Sequence, residues 1–342
     1  KPDHDVLLGA YAHACMLMCG WSRFDELLKA LKERVEADRN ASDPFAFLGL
    51  IDSSALQARV ARRFVAVKCP DRQAAISPRR SAREKIRLGY FSADLHNHAT
   101  AYLMAELFES HDREKFEVIA FSFGPDVDDP MRARLRHAFD QFHDVRFRSD
   151  EDIARFARNL EIDIAIDLKG FTGDARPQIF ATRCAPVQVN YLGFPGTMGA
   201  SYMDYIIADK VLIPKESQRD YSERVAYLPG SYQTNGRRRI SDRAFTREEL
   251  GLPSEGFVFC CFNKNYKITP PVFASWMRIL QQVEGSVLWL LEDSPIVAAN
   301  LRKEAEARGV DGARLVFAGR MDLPDHLARH RLAGLFLDTL PY

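Results

Sequence analysis

Two histidines follow the first predicted strand of the α/β part of the chain, in the order His96-Asn97-His98. The strand covers 86–91 and a helix is predicted to start near Thr100, so both lie in a loop at the carboxyl end of a strand. An open α/β sheet presents ligand-binding residues at such loops. A histidine there can transfer a proton near neutral pH or donate to a phosphate or sugar hydroxyl. A histidine that only caps the helix is the equally weighted alternative.

Glycine-rich loops follow two further predicted strands. Gly170 and Gly173 come after the strand 162–167, and three glycines lie within residues 193–199, after the strand 187–191. Glycine lets the backbone approach a ligand closely and exposes N–H groups. One such loop alone is typical of a sharp turn, whereas two at the same sheet edge favour ligand binding.

Cationic side chains follow strands in the second half of the chain. Lys267 lies just before a predicted helix with Thr269 as its cap and Pro270 near its first position. An ammonium group at a helix amino terminus suits a diphosphate, although a solvated surface lysine is the alternative. His326 and Arg329 are three residues apart on a short predicted helix and share a face.

These groups are histidine, lysine, arginine and glycine, without the spacing of a metal site. The dinucleotide-binding and P-loop glycine patterns, the H-E-x-x-H motif and the EF-hand loop are all missing from the sequence. We therefore expect an anionic diphosphate to be bound without a metal or other cofactor. Transfer of a group from an activated diphosphate ester fits this set, because a lysine can stabilise the leaving charge.

The elements that must position these residues alternate between strand and helix. The alternation over 85–245 predicts a doubly wound parallel sheet, and a second alternating unit follows over 246–342. Residues 1–84 are predicted to be a helical segment that ends in a polar linker at 79–85. Two α/β domains that face each other would form a ligand cleft at the carboxyl ends of both sheets.

Composition excludes some classes of partner. The chain has 342 residues, with 47 Lys and Arg against 47 Asp and Glu, so no bulk attraction to nucleic acid or to an anionic membrane is expected. No apolar run approaches the roughly 18–20 residues that span a bilayer, and the first residues do not lead into a signal-peptide core. The six scattered cysteines fit buried thiols in a reducing, cytoplasmic setting rather than a zinc site.

The motifs together resemble glycosyltransferase family 41, the O-GlcNAc transferase/SPINDLY type of protein O-glycosyltransferase, in a bacterial form. The stretches that carry the resemblance are RLGYFSADLHNH (87–98), GFTGDAR (170–176), YLGFPGTMG (191–199) and FNKNYKI (262–268), with 115–118, 185–188, 202–207, 286–291 and 337–339. The resemblance implies a GT-B type fold, two facing Rossmann-like domains behind a tetratricopeptide-repeat superhelix. The family's next donor-site motif, His-Thr-Thr followed by Asp, would come after residue 339, so the C-terminal domain is expected to be incomplete.

The resemblance also implies roles for individual residues. His98 matches a histidine that acts as catalytic base or orients the sugar, and this choice stays open. Lys267 matches the lysine on the donor diphosphate, and Lys264 falls where animal enzymes carry a glutamine near the nucleotide. The other positions that match the donor-sugar and nucleotide site are Leu192, Gly193, Pro195, Met321, Asp322, Leu323, His326 and Arg329.

The function implied is an inverting, metal-independent transfer of N-acetylglucosamine from UDP-GlcNAc to Ser or Thr hydroxyls of proteins. UDP-GlcNAc or UDP and protein or peptide acceptors are the expected partners. Protein O-fucosylation from GDP-fucose is the nearest alternative, because plant members of the family carry it out. A non-catalytic scaffold that holds peptides is the alternative from another class.

Overall fold

The computed structural model describes residues 6–72 and 84–342. They form two compact units, each assembled from more than one stretch of the chain. One unit contains the residues up to 34 together with 46–52 and 238–342, and the other contains 35–45 and 53–237. The predicted linker at 79–85 lies mostly outside the described residues, and the domain boundaries expected after residues 84 and 245 stay predictions.

Helices and strands alternate through most of the described chain. The α-helices are α1 (Leu7–Leu17), α2 (Phe24–Glu36), α3 (Pro44–Leu48), α4 (Ser54–Lys68), α5 (Ala99–Glu109), α6 (Pro130–Ala138), α7 (Asp150–Asn159), α8 (Gln178–Ala181), α9 (Pro270–Gln282), α10 (Pro295–Glu306) and α11 (Leu323–Arg329). The strands are β1 (Ile86–Ser92), β2 (Phe116–Ser122), β3 (Gln141–Asp144), β4 (Ile164–Asp167), β5 (Val187–Asn190), β6 (Tyr205–Ala208), β7 (Arg224–Tyr227), β8 (Val258–Cys261), β9 (Val287–Leu291), β10 (Leu315–Ala318) and β11 (Leu335–Phe336).

A seven-stranded sheet forms the centre of the unit that contains 53–237. Its strand order is β3-β2-β1-β4-β5-β6-β7, and every neighbouring pair is parallel. The chain moves from β1 to one edge and then returns to lay β4 beside β1, which creates a switch point between these two strands. The doubly wound parallel sheet expected from the sequence is thus confirmed.

Two strands of this sheet differ from the sequence prediction. The sequence Val145-Arg146-Phe147 predicts a third strand at 145–147, but β3 lies earlier, at Gln141–Asp144, and Phe147 is 92% exposed. The Val145 N–H still donates to the Ser122 carbonyl, and residues 146–147 lie beyond the end of the β2–β3 pairing. The edge strand β7 was not predicted, because its Arg224–Tyr227 sequence is too short and too exposed to show a core pattern.

A four-stranded parallel sheet, in the order β10-β9-β8-β11, forms the centre of the other unit. All four residues of β8 are buried, as expected for a parallel strand that is covered on both faces. The helical residues up to 34 belong to this unit. The Trp21 indole meets Phe273 of α9 at 5.3 Å between ring centroids, and Asn300 Nδ2 donates to the Met18 carbonyl at 2.8 Å.

Side-chain caps fix where several helices begin. Asp129 accepts the Arg132 N–H at α6, Ser149 accepts the Asp152 N–H at α7, and Ser294 accepts the Val297 N–H at α10. Proline occupies the first turn of α6 and α10, where its missing N–H costs nothing. Within the residues described, no helix has the length and apolar character needed to cross a membrane.

Candidate active site

His98 stands at the junction between the loop after β1 and helix α5. It is the N-cap residue of α5, and its Nδ1 accepts the Thr100 N–H at 3.2 Å. The side chain is nevertheless 43% exposed, so its remaining ring nitrogen is open to a ligand. Capping and a chemical role, which the sequence left as alternatives, are therefore compatible in one residue.

A buried ion pair lies directly behind His98. Lys169 Nζ donates to Asp94 Oδ2 at 2.7 Å, and both side chains are less than a tenth exposed. The same Oδ2 atom lies 3.4 Å from His98 Nδ1 and accepts a long hydrogen bond from Thr100 Oγ1. The pairing follows from the sheet: Asp94 and Lys169 come just after β1 and β4, which are neighbouring strands.

Sequence reasoning did not select either member of this pair. A signal was present, because Asp94 lies inside the motif that ends at His98 and Lys169 directly precedes Gly170. The two residues are 75 positions apart, so only the strand order reveals that they meet.

The electrostatic surroundings of His98 favour a neutral imidazole. Partial burial lowers its pKa below the ordinary value, and the nearby Lys169 and His96 lower the pKa further. The Asp94 carboxylate acts in the opposite direction. At neutral pH the ring can therefore act as a hydrogen-bond donor at one nitrogen and as an acceptor at the other.

The glycine loop after β5 approaches the end of β4 backbone to backbone. A Cβ atom added at Gly193 would lie 2.0 Å from the Leu168 carbonyl oxygen, so this position requires glycine. Leu192 adopts a left-handed backbone with φ of +69°, and Leu192, Gly193 and Pro195 are all half-buried. The loop lies at the carboxyl edge of the sheet, and its role in lining a ligand pocket stays a prediction.

A buried carboxylate, Glu223, anchors the far end of the same loop. Its oxygens accept the Thr197 hydroxyl and the Met198 N–H, each at 2.6 Å. The Asn190 amide group also donates to the carbonyls of Phe194 and Gly196. Burial raises the pKa of Glu223, while the hydrogen bonds from Thr197 and Met198 act against the rise.

In the other unit, Lys267 ends a short 3-10 helix between β8 and α9. Its Nζ lies 4.1 Å from the centroid of the Tyr342 ring, and burial lowers the pKa of the lysine, with the Asp338 charge opposing. Pro270 is in the first turn of α9 as predicted. The expected cap is corrected in part: Thr269 holds the N-cap position, but its hydroxyl donates to the Leu340 carbonyl instead of capping the helix.

An amide group lies beside the Asp338 carboxylate in this unit. Asn263 Nδ2 donates to Asp338 Oδ1 at 2.8 Å and to Thr339 Oγ1 at 2.9 Å. These three residues follow β8 and β11, which pair in the sheet. Lys264 is exposed in the same loop.

His326 and Arg329 meet on helix α11, as their spacing predicted. Arg329 Nη2 donates to His326 Nδ1 at 2.6 Å and Nη1 donates to the Gly319 carbonyl at 2.7 Å. The Arg329 side chain is 1% exposed and its guanidinium lies 4.6 Å from the centroid of the Phe262 ring. Arg329 is therefore a buried support for His326.

The ring of His326 is kept neutral by this neighbourhood. Burial lowers its pKa to about 4, and the neighbouring Arg329 and His330 add to the effect. Met321, Asp322 and Leu323 form the turn that leads into α11, where the His326 N–H bonds the Asp322 carbonyl at 2.8 Å. Their assignment to nucleotide binding stays a prediction.

Two α/β units, each built on a parallel sheet with polar residues after its strands, define the GT-B class expected from the sequence. The chain matches the family model described as glycosyl transferase family 41 over residues 64–243 and 240–341, and it belongs to that family.

Relatives and a solved structure agree with this placement. The chain is 35% identical to the probable UDP-N-acetylglucosamine–peptide N-acetylglucosaminyltransferase SEC of Arabidopsis thaliana, over 75% of this chain and 27% of that protein. It is 26% identical to the UDP-N-acetylglucosamine–peptide N-acetylglucosaminyltransferase of Caenorhabditis elegans, over 75% of this chain and 32% of that protein. A mutant of the Thermobaculum terrenum O-GlcNAc transferase superimposes with a TM-score of 0.82 and 28% identity, over 98% of this chain and 65% of the other. The chain thus spans about a third or less of the curated relatives it matches.

Proposed function

We propose that this protein transfers N-acetylglucosamine from UDP-GlcNAc to serine or threonine hydroxyls of proteins or peptides. The reaction inverts the anomeric centre and uses no metal. The observation that carries the proposal is the half-buried Lys267 ammonium in the segment between β8 and α9, in a chain of glycosyl transferase family 41. The printed names of its relatives supply the donor and the acceptor class.

The chemistry is a single displacement. The acceptor oxygen forms a bond to the anomeric carbon while the bond from that carbon to the UDP β-phosphate oxygen breaks, and the proton of the acceptor hydroxyl passes to solvent water. Attack from the face opposite the leaving group inverts the configuration. Lys267 neutralises the charge that develops on UDP as the bond to the anomeric carbon breaks.

Each unit has a separate task in this proposal. The unit with Lys267 holds the nucleotide, with His326 and the turn at 321–323 on the same sheet edge. In the other unit, His98 contacts the sugar part of the donor and the loop at 192–195 lines its pocket. We also propose a reducing, cytoplasmic setting, which is supported by six free cysteines, five of them buried.

Turnover of radiolabelled UDP-GlcNAc on a peptide acceptor tests this function. We expect Lys267→Ala to reduce kcat by about 100-fold or more, the usual effect of removing one group that stabilises a transition-state charge. The exposed Lys303→Ala on α10 is the matched control and keeps the wild-type rate. A wild-type rate in Lys267→Ala contradicts the proposed role, and stronger competition by GDP than by UDP contradicts the proposed donor.

A further inference from the structure

The Nδ1 atom of His98 has two neighbours that make opposite demands on it. The Thr100 N–H, at 3.2 Å, requires Nδ1 to accept a hydrogen bond. Asp94 Oδ2, at 3.4 Å, would accept a hydrogen bond if Nδ1 carried a proton. A neutral imidazole has one protonated and one unprotonated nitrogen, so it can satisfy only one of these neighbours.

Lys169 decides between them because it occupies the same carboxylate oxygen. Its Nζ donates to Asp94 Oδ2 at 2.7 Å, which is the length of a charge-assisted hydrogen bond, whereas the distance from Nδ1 is too long for one. The lysine also offsets the negative charge that would draw a proton to Nδ1. Both partners are buried, so solvent does little to screen the pair.

The other charged and titratable groups around His98 fit this arrangement. His96 belongs to the same loop, and its ring centroid lies 5.9 Å from that of His98. Asp167 lies on the far side of Lys169, where it accepts the Lys169 N–H at 2.8 Å and where burial raises its pKa to about 6. Asp94 is therefore the acidic group that faces the His98 ring directly.

We propose that Lys169 is a positioning residue that, through its buried pair with Asp94, holds His98 as the neutral imidazole with the proton on Nε2. Nδ1 is then engaged by the Thr100 N–H, and the exposed Nε2–H points its hydrogen bond toward a ligand. On the proposed function, from which this step follows, His98 donates to the sugar or phosphate oxygens of the donor. It does not remove the proton of the acceptor hydroxyl.

Nitrogen NMR of the purified protein labelled with ¹⁵N-histidine tests the proposal without any substrate. The His98 resonances are assigned by their loss in His98→Gln. In the wild type we expect the chemical shifts of an Nε2–H tautomer. In Lys169→Met the Asp94 charge is uncompensated, so we expect proton density on Nδ1 and a titration midpoint raised by about one pH unit or more.

Charge-balanced variants separate this role from a general structural one. Asp94→Asn alone leaves the ammonium unpaired and lowers the His98 midpoint, whereas the double variant Asp94→Asn with Lys169→Met returns the midpoint and tautomer toward wild type. If Lys169→Met does not fold, the proposal is still tested by the other two variants. The His98 midpoint must be higher in the double variant, which lacks the ammonium, than in Asp94→Asn.

The proposal is overturned by an Nδ1–H tautomer in the wild type, or by a His98 midpoint that stays constant across the folded variants. This outcome is independent of catalysis. A titration series that behaves as expected in a protein that does not turn over UDP-GlcNAc contradicts only the proposed function.

Discussion

Lysine and arginine side chains of this chain fall into two groups. Some remain partly accessible to a ligand, and others are used in contacts inside the protein. Lys267 is half-buried near one carboxylate, and Lys169 is fully buried against another. Arg329 matches a nucleotide-binding position, yet its guanidinium donates to His326 and to a carbonyl inside the unit. Arg329 therefore orients His326, and in the proposed function it acts on the nucleotide only through that histidine.

The depressed pKa of His326 gives stability a defined pH dependence. The folded histidine has a pKa of about 4, and the unfolded one has the ordinary value of about 6.5. Protons therefore bind preferentially to the unfolded chain between these values, and the free energy of unfolding falls as the pH falls from 6.5 to 4. We expect His326→Gln to make this fall shallower in urea titrations at pH 7, 5.5 and 4.5.

The remaining acid sensitivity comes partly from other histidines. His98, His111 and His143 also have pKa values lowered by burial, so some of the slope persists in the variant. The exposed Asn159→Gln on α7, which removes no titratable group, serves as control and keeps the wild-type slope. An identical slope in His326→Gln and wild type would show that His326 does not titrate differently on unfolding.

At the scale of elements, the loop after β5 owes its shape to groups on other strands. Glu223, just before β7, accepts two donors from the loop, and the end of β4 fits against Gly193. A glycine-rich loop is flexible by itself, because glycine has a large conformational freedom to lose. These contacts supply the order that a ligand-binding loop requires.

Replacing Glu223 tests this anchoring. Glu223→Gln keeps one acceptor oxygen and turns the other into an amide donor, which faces a backbone N–H or a hydroxyl. We expect a loss of about 1–3 kcal/mol in the free energy of unfolding, the usual cost of a mispaired buried polar group. We also expect faster hydrogen exchange at the Met198 amide. The exposed Glu216→Gln provides the control, and unchanged exchange at Met198 would refute the anchoring role.

The sequence predicted those features that depend on local pattern. Strand and helix alternation, the histidine loop and the glycine loops were placed correctly, and the family resemblance supplied the fold class. The pair of Asp94 with Lys169 and the anchor at Glu223 were missed, because their partners are 75 and 26 residues away. Such pairs follow from which strands become neighbours, and a single sequence does not contain that order in any local segment.

At the scale of the whole molecule, sequence order and spatial grouping differ. Residues up to 34 belong to the same unit as 238–342, and His13 of α1 meets Tyr266 at 5.0 Å between ring centroids. Helix α1 and most of α2 thus belong to the unit that carries Lys267. Stability of the predicted nucleotide site therefore depends on residues more than 200 positions earlier in the sequence.

Trp21 provides the test of this dependence, because its buried indole packs edge-on against Phe273 of α9. We expect Trp21→Ala to lower the free energy of unfolding by about 3–5 kcal/mol, the usual cost of removing a large core aromatic side chain. Hydrogen exchange is expected to increase in β8 and α9. Trp21→Phe retains an aromatic contact and should lose much less. Wild-type protection of β8 in Trp21→Ala would show that the contact of Trp21 with α9 is dispensable to that unit.

The tight approach of Gly193 to Leu168 also determines which residues of the proposed donor pocket can be substituted in protein engineering. Glycine is fixed at 193 by the carbonyl it touches and at 199 by the backbone of Arg62, which a Cβ would meet at 2.5 Å. The loop length is fixed as well, because Gly193 packs against Leu168 at one end and Gly199 packs against helix α4 at the other. A library for a new sugar specificity should therefore randomise 192 and 195 and keep both glycines, with glycine or asparagine favoured at 192 by its left-handed backbone.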